Sequence, residues 1–103
     1  MYLNVFRSRK RADMDAAAYA ADAARMEALA RAQKGFVAFR TYRAEDGETL
    51  SMSEWETEAD AQAWRRHAEH AMVQARGRRE YYECYTAYSC VDPTIRHFDR
   101  SPV

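Results

Sequence analysis

Three glycines, two prolines and two cysteines in 103 residues leave little scope for several kinds of chemistry. The glycines Gly35, Gly47 and Gly77 are isolated, so no glycine-rich loop can cradle a phosphate. Flavin, nicotinamide and nucleotide chemistry are disfavoured on that ground. No Gly-x-Ser-x-Gly elbow occurs, and no cysteine and histidine stand at a plausible nucleophile spacing. Cys84 and Cys90 fall on what reads as one strand, about 20 Å apart at roughly 3.3 Å per residue, which is beyond bridging distance. They read as plain thiols in a reducing compartment. The 16 basic side chains are matched by 16 acidic ones, so the field that holds nucleic acid is missing. No apolar run approaches the roughly 20 residues of a membrane span. Arg7, Ser8, Arg9, Lys10 and Arg11 cut the opening apolar stretch short of a secretory signal. The expectation is a soluble cytoplasmic domain with no nucleic-acid or membrane partner.

What is present is a well-built core composition: 48% hydrophobic, with seven tyrosines, four phenylalanines and two tryptophans, too apolar for disorder. Tyr2 to Phe6 reads as a first strand followed by a basic loop. Asp13 or Asp15 can cap a helix over Ala16 to Gln33, rich in strong helix formers, with Tyr19, Ala23, Met26 and Ala30 on one core-facing stripe. Gly35 stands where that helix must stop. Phe36–Arg43 and Thr49–Trp55 form an antiparallel hairpin across the Asp46-Gly47 turn. Thr57, with Asp60 three residues on, caps a second helix running to about Arg76, and Gly77 can end it. Tyr81–Val91 is a long aromatic strand, broken by Asp92-Pro93. The order strand, helix, strand, strand, helix, strand predicts an α+β fold, a ferredoxin-like βαββαβ unit with a four-stranded antiparallel sheet. Residues 1–92 make the domain and 93–103 a polar C-terminal tail. Neither face of the last strand is clearly polar, so a second chain is expected over the outer face of the sheet, as a homodimer.

Several stretches together carry a resemblance. They are the opening strand into Phe6-Arg7-Ser8-Arg9, Met26-Glu27-Ala28-Leu29-Ala30 before Gln33-Lys34-Gly35-Phe36, and Ser53-Glu54-Trp55-Glu56. Trp64-Arg65-Arg66-His67-Ala68-Glu69-His70, a Trp-x-x-His-x-x-His segment, is followed by Gln74-Ala75-Arg76-Gly77-Arg78 and Tyr81-Tyr82. This pattern resembles the antibiotic biosynthesis monooxygenase family, related to the heme-degrading monooxygenases. The resemblance implies a dimeric α/β barrel, and oxidation of a small aromatic or quinone-type molecule by oxygen without a metal or organic cofactor. In that chemistry the deprotonated substrate itself passes an electron to oxygen. The heme-degrading branch uses an Asn on the first strand, a Trp on the second helix and a heme-ligating His further along it. Asn4 and Trp64 match the first two. Gln74 stands where the His would be, and glutamine is a poor iron ligand, so heme enters only as an alternative in which His70 substitutes.

Each candidate has a bland reading beside the chemical one. Trp64, with small neighbours Ala61, Ala68, Ala71 and Ala75, is either a flat wall for an aromatic substrate or the anchor of its helix. Trp55 reads as core. Asn4, a polar side chain in an apolar strand, must be hydrogen-bonded if buried; it can orient a substrate oxygen or satisfy backbone. On an unbroken helix Asp60, Trp64, His67, Ala71 and Gln74 share a stripe, with His70 beside it. His67 or His70 can take a proton near neutral pH or be a structural or surface residue. As a metal site the pair lacks further ligands in register apart from Asp60, so no metal is expected. Arg78, Gln74 and Tyr82 are substrate-contact candidates, Arg78 at the pocket mouth and Tyr82 sharing a strand face with Tyr88. Arg40 is expected on the face of Phe36 and Tyr42, partnered by Glu54. The remaining reading is a non-catalytic dimeric binding domain that has kept the fold.

Overall fold

The computed structural model describes residues 1–101, apart from the side chain of Ala68. Its elements run β1 (Tyr2–Lys10), α1 (Ala16–Arg31), β2 (Phe36–Arg43), β3 (Thr49–Trp55), α2 (Glu58–Arg65), α3 (Ala68–Arg76) and β4 (Tyr82–Val91). The sheet order is β2-β3-β1-β4, and every neighbouring pair is antiparallel. This is the ferredoxin-like α+β arrangement expected from the order of elements. Residues 93–101 carry no regular structure, and residues 102 and 103 of the expected tail lie outside the described residues.

The expected caps are in place. Asp15 accepts a hydrogen bond from the Ala18 N–H at 3.0 Å and starts α1. Thr57 accepts from the Asp60 N–H at 3.1 Å and donates to the Asp60 carboxylate at 2.8 Å, starting α2. Each such cap is worth about 0.5–2 kcal/mol. Gly35 has φ +81° between α1 and β2, and Gly47 has φ +92° in the hairpin turn, both in the left-handed region. Trp55, Tyr2, Ala61, Ala30 and Trp64 form the buried core between helices and sheet, with Met26, Leu29 and Phe36 against it.

Four local expectations are corrected. The supposed basic loop after Phe6 is strand as far as Lys10: alternation sends Arg7 and Arg9 outward, where they pair with Glu48 and Asp46 of the hairpin at 3.1 and 2.7 Å. The second helix is not continuous. His67 adopts φ −58°, ψ 130°, so α2 ends at Arg65 and α3 restarts at Ala68. α3 does end at Arg76 with Gly77 as its C-cap, as expected, but Gly77 has φ −56° and the chain continues through a wide π-type turn over Gly77–Tyr81. A Cβ there would lie 2.6 Å from the Tyr82 ring, so close approach is what requires glycine.

A register shift between Arg9 and Lys10 places a bulge in β4 beside Glu83. Tyr82 consequently packs on Phe6 and Tyr19 on the helix side, while Tyr88 stays outside and accepts a hydrogen bond from Arg7 at 3.3 Å. The two tyrosines do not share a face. A second shift between Phe36 and Ala38 turns Phe36 inward against Trp55. Arg40 is opposite Met52 rather than Glu54, exposed, with its guanidinium over Tyr42. Leu3, Val5, Leu50, Met52, Tyr88 and Cys90 therefore share the outer face of the sheet.

Candidate functional site

Between the helices and the inner face of the sheet lies a cleft of about 390 Å³. Asn4, Trp64, His70, Gln74, Arg78 and Tyr82 all line it. His67 does not: it sits in the joint between α2 and α3, its ring tilted on Trp64 at 5.5 Å and its Nδ1 buried without a hydrogen-bond partner among the described residues. The stripe expected of one unbroken helix thus loses His67 and gains His70.

The helix break explains the exchange. On a continuous helix, residues six apart point about 120° away from each other at 3.6 residues per turn. Because His67 is extended, α3 restarts in a new direction and the His70 imidazole folds back on Trp64. The two rings stack at 4.5 Å and 10°, and Nδ1 lies 3.2 Å from the Trp64 carbonyl oxygen. A carbonyl only accepts, so this bond requires the proton on Nδ1 and leaves Nε2 with its lone pair. Burial holds the His70 pKa below 6.5, and the nearby Arg65 and His67 oppose its protonation further. The result is a neutral imidazole in a known tautomer, with one nitrogen fit to accept a proton.

Trp64 is 9% exposed. It packs on Trp55 at 6.4 Å and 24° as well as on His70, so it anchors the stack and presents only a remnant of its surface to the cleft. Below, Asn4 is half-buried near the start of β1, in register with Ser53 on one side and Ser89 on the other. The Ser89 hydroxyl is 3.5 Å from Asn4 Oδ1, at the limit of a hydrogen bond, and Ser53 accepts from the Trp55 indole N–H at 3.2 Å. Ser51, also in the lining, extends this polar strip along the floor of an otherwise aromatic cleft. Such a strip can hold a substrate oxygen while rings grip the flat part.

The opposite end joins Tyr82, already a candidate, to residues whose part in the cleft was not read from the sequence. Phe6, Tyr85, Tyr82 and Tyr19 form a chain of ring contacts between 5.0 and 6.4 Å. Burial pushes the Tyr82 phenol up, so it stays protonated and can donate. Asp22 lines the cleft too. Its Oδ2 accepts from the Tyr81 hydroxyl at 2.6 Å and from Arg76 at 2.7 Å. Those donors, Tyr81 first, hold the carboxyl below its usual range. Arg76 is thus a link between α3 and α1. Asp22 lies on α1 near the recognised Tyr19–Ala23–Met26 stripe, but only the fold brings it to Tyr81. Among the described residues no three His, Cys, Asp or Glu side chains gather to hold a metal ion, and no helix is long and apolar enough to cross a membrane.

Comparison with known proteins agrees with this architecture. The chain is 36% identical over 67 residues to the uncharacterised Bacillus subtilis protein YqjZ, a stretch covering 65% of this chain and 59% of that one. Its fold is similar to that of a Mycobacterium tuberculosis protein, with TM-score 0.78 and 16% identity over 93% of this chain and 98% of that chain. It is similar also to SnoaB, a cofactor-independent oxygenase from Streptomyces nogalater, with TM-score 0.76 and 16% identity over 97% of each chain. The model of the antibiotic biosynthesis monooxygenase family matches residues 1–76, and the chain belongs to that family.

Proposed function

We propose that the protein is a cofactor-independent monooxygenase that oxidises a small aromatic or quinone-type compound in the helix–sheet cleft. The observation that carries this reading is the neutral His70 imidazole, its tautomer fixed by the Trp64 carbonyl, beside an open aromatic cleft with a polar floor. A flat hydroxylated guest fits between the rings. Asn4 and the Ser53–Ser89 strip orient its oxygen, and His70 Nε2 accepts a proton from an acidic phenol or enol. The resulting carbanion or phenolate gives one electron to oxygen, and the radical pair recombines to a peroxide. Loss of water leaves a carbonyl, so that a CH2 group and O2 become C=O and H2O. Protein groups stabilise the anion, which is the step water alone handles poorly. SnoaB, whose fold this chain shares, is described as a cofactor-independent oxygenase.

The residues do not fit heme as well. Gln74 offers only an amide, and the His70 ring is held face to face on an indole. The active form is further taken as a cytoplasmic homodimer; for the dimer, Leu3, Val5, Leu50, Met52 and Tyr88 form an apolar patch on the outer face of the sheet. The test is oxygen uptake on a panel of anthrones and hydroxyquinones, with heme titrated in parallel. Turnover without added metal supports the reading. A Soret shift on heme addition, lost in Asn4→Ala, would replace it with heme degradation. Tight binding of a panel member without turnover would leave a non-catalytic binding domain.

A further inference from the structure

We infer that Asp22 is a positioning residue: it docks α3 onto α1 and thereby seats the His70 imidazole on Trp64. The inference rests on the reading of His70 as the proton acceptor, but its test reads the imidazole itself. α3 is bracketed by two departures from helix geometry, the extended His67 on one side and the π-type turn over Gly77–Tyr81 on the other. Between them none of its described side chains is fully buried, and Met72 is 64% exposed. Apolar burial therefore does little to fix it.

Polar links to α1 remain. Arg25 pairs with Glu69 at 3.1 Å, but both side chains are about half exposed, at 60% and 45% of their surface, so water competes for the pair. Asp22 is different. Its side chain is 20% exposed, and a single oxygen holds both Arg76, the last residue of α3, and the buried Tyr81, the last residue of the turn. One carboxylate thus pins the C-terminal joint of the segment whose other end carries His70. The charged and titratable groups around that imidazole are Arg65 from α2 and His67 from the joint, while Glu69 on α3 is engaged by Arg25. None of these is a counter-ion for His70. Its neutrality follows from being held under cover, which is the service Asp22 performs at a distance.

Proton NMR of the His70 ring tests this in the full chain. In the wild type, stacking on the indole is expected to displace the ring protons upfield, with a titration midpoint below the ordinary 6.5. Asp22→Asn and Arg76→Met are expected to shrink that displacement and raise the midpoint toward 6.5, and Asp22→Glu to restore much of both. Ring shifts and midpoint identical to wild type in Arg76→Met and Asp22→Asn would overturn the inference. Should Asp22→Asn fail to fold, Arg76→Met, at the half-buried partner, decides alone. These outcomes do not depend on turnover, so a failure of the oxygenase reading would be seen separately, in the uptake assay.

Discussion

Replacing Trp64 by alanine separates the anchor from the wall. The indole is 9% exposed and stacks on Trp55 and His70. Truncation of a buried aromatic to alanine costs about 3–5 kcal/mol, the lower end where the site can collapse or fill with water. Trp64 borders an open cleft, so water can enter the space and about 3 kcal/mol is expected. For a domain near 100 residues this corresponds to a fall of roughly 12–24 °C in Tm. Urea denaturation followed by circular dichroism gives the free energy directly, provided the transition stays two-state. The same variant uncovers His70, whose titration midpoint should rise toward 6.5. A Tm loss under about 4 °C, equivalent to roughly 1 kcal/mol, would refute the anchoring role. A substrate-affinity loss without any stability loss would reinstate the indole as a free wall.

Three further outcomes are expected. Gly77→Ala places a Cβ 2.6 Å from the Tyr82 ring and should cost about 1–3 kcal/mol in urea denaturation, with altered tyrosine packing by near-ultraviolet circular dichroism. Asn4→Ala should weaken binding of a hydroxylated aromatic by roughly fivefold to tenfold, about 1 kcal/mol for one hydrogen bond, with little change in Tm; isothermal titration measures it. Stability should fall as the pH drops from neutral. The folded His70 pKa lies below its unfolded value near 6.5, so the unfolded chain takes up the proton first and stability is lost from 6.5 downward through the folded value. Asp22, lowered from 3.8, contributes stability above that value and loses it at more acid pH. Urea midpoints from pH 7.5 to 5.5 should show the first decline, and His70→Gln should flatten it.

The fold was legible because its signals are local. Asp15 and Thr57 cap helices by side-chain chemistry, Gly35 and Gly47 mark positive φ, and the Tyr19–Met26–Ala30 stripe repeats at helical spacing. The site was legible only in part. Asn4, Trp64 and His70 stood out as residue types, but their relation depends on a helix break at His67 that no glycine or proline announces. Good helix formers flank that position, and the break is instead tied to the Trp64 carbonyl, which receives both the His67 N–H and the His70 ring. The bulges at Val37 and Glu83 were hidden for a similar reason. Alternation reads one residue at a time, and a single extra residue exchanges the faces of everything beyond it. Asp22 escaped because its meaning comes from Tyr81, 59 positions away. Sequence spacing carries no trace of such a pair.

The chemistry reduces to whether His70 removes the proton that starts oxidation. Aerobic turnover of a cleft-binding hydroxyarene, followed by oxygen uptake across pH, addresses this for wild type and His70→Gln side by side. The account predicts a wild-type rate that rises with pH through a midpoint below 6.5, and a variant in which that limb and most of the rate are gone. An unchanged rate and pH profile in His70→Gln would contradict it.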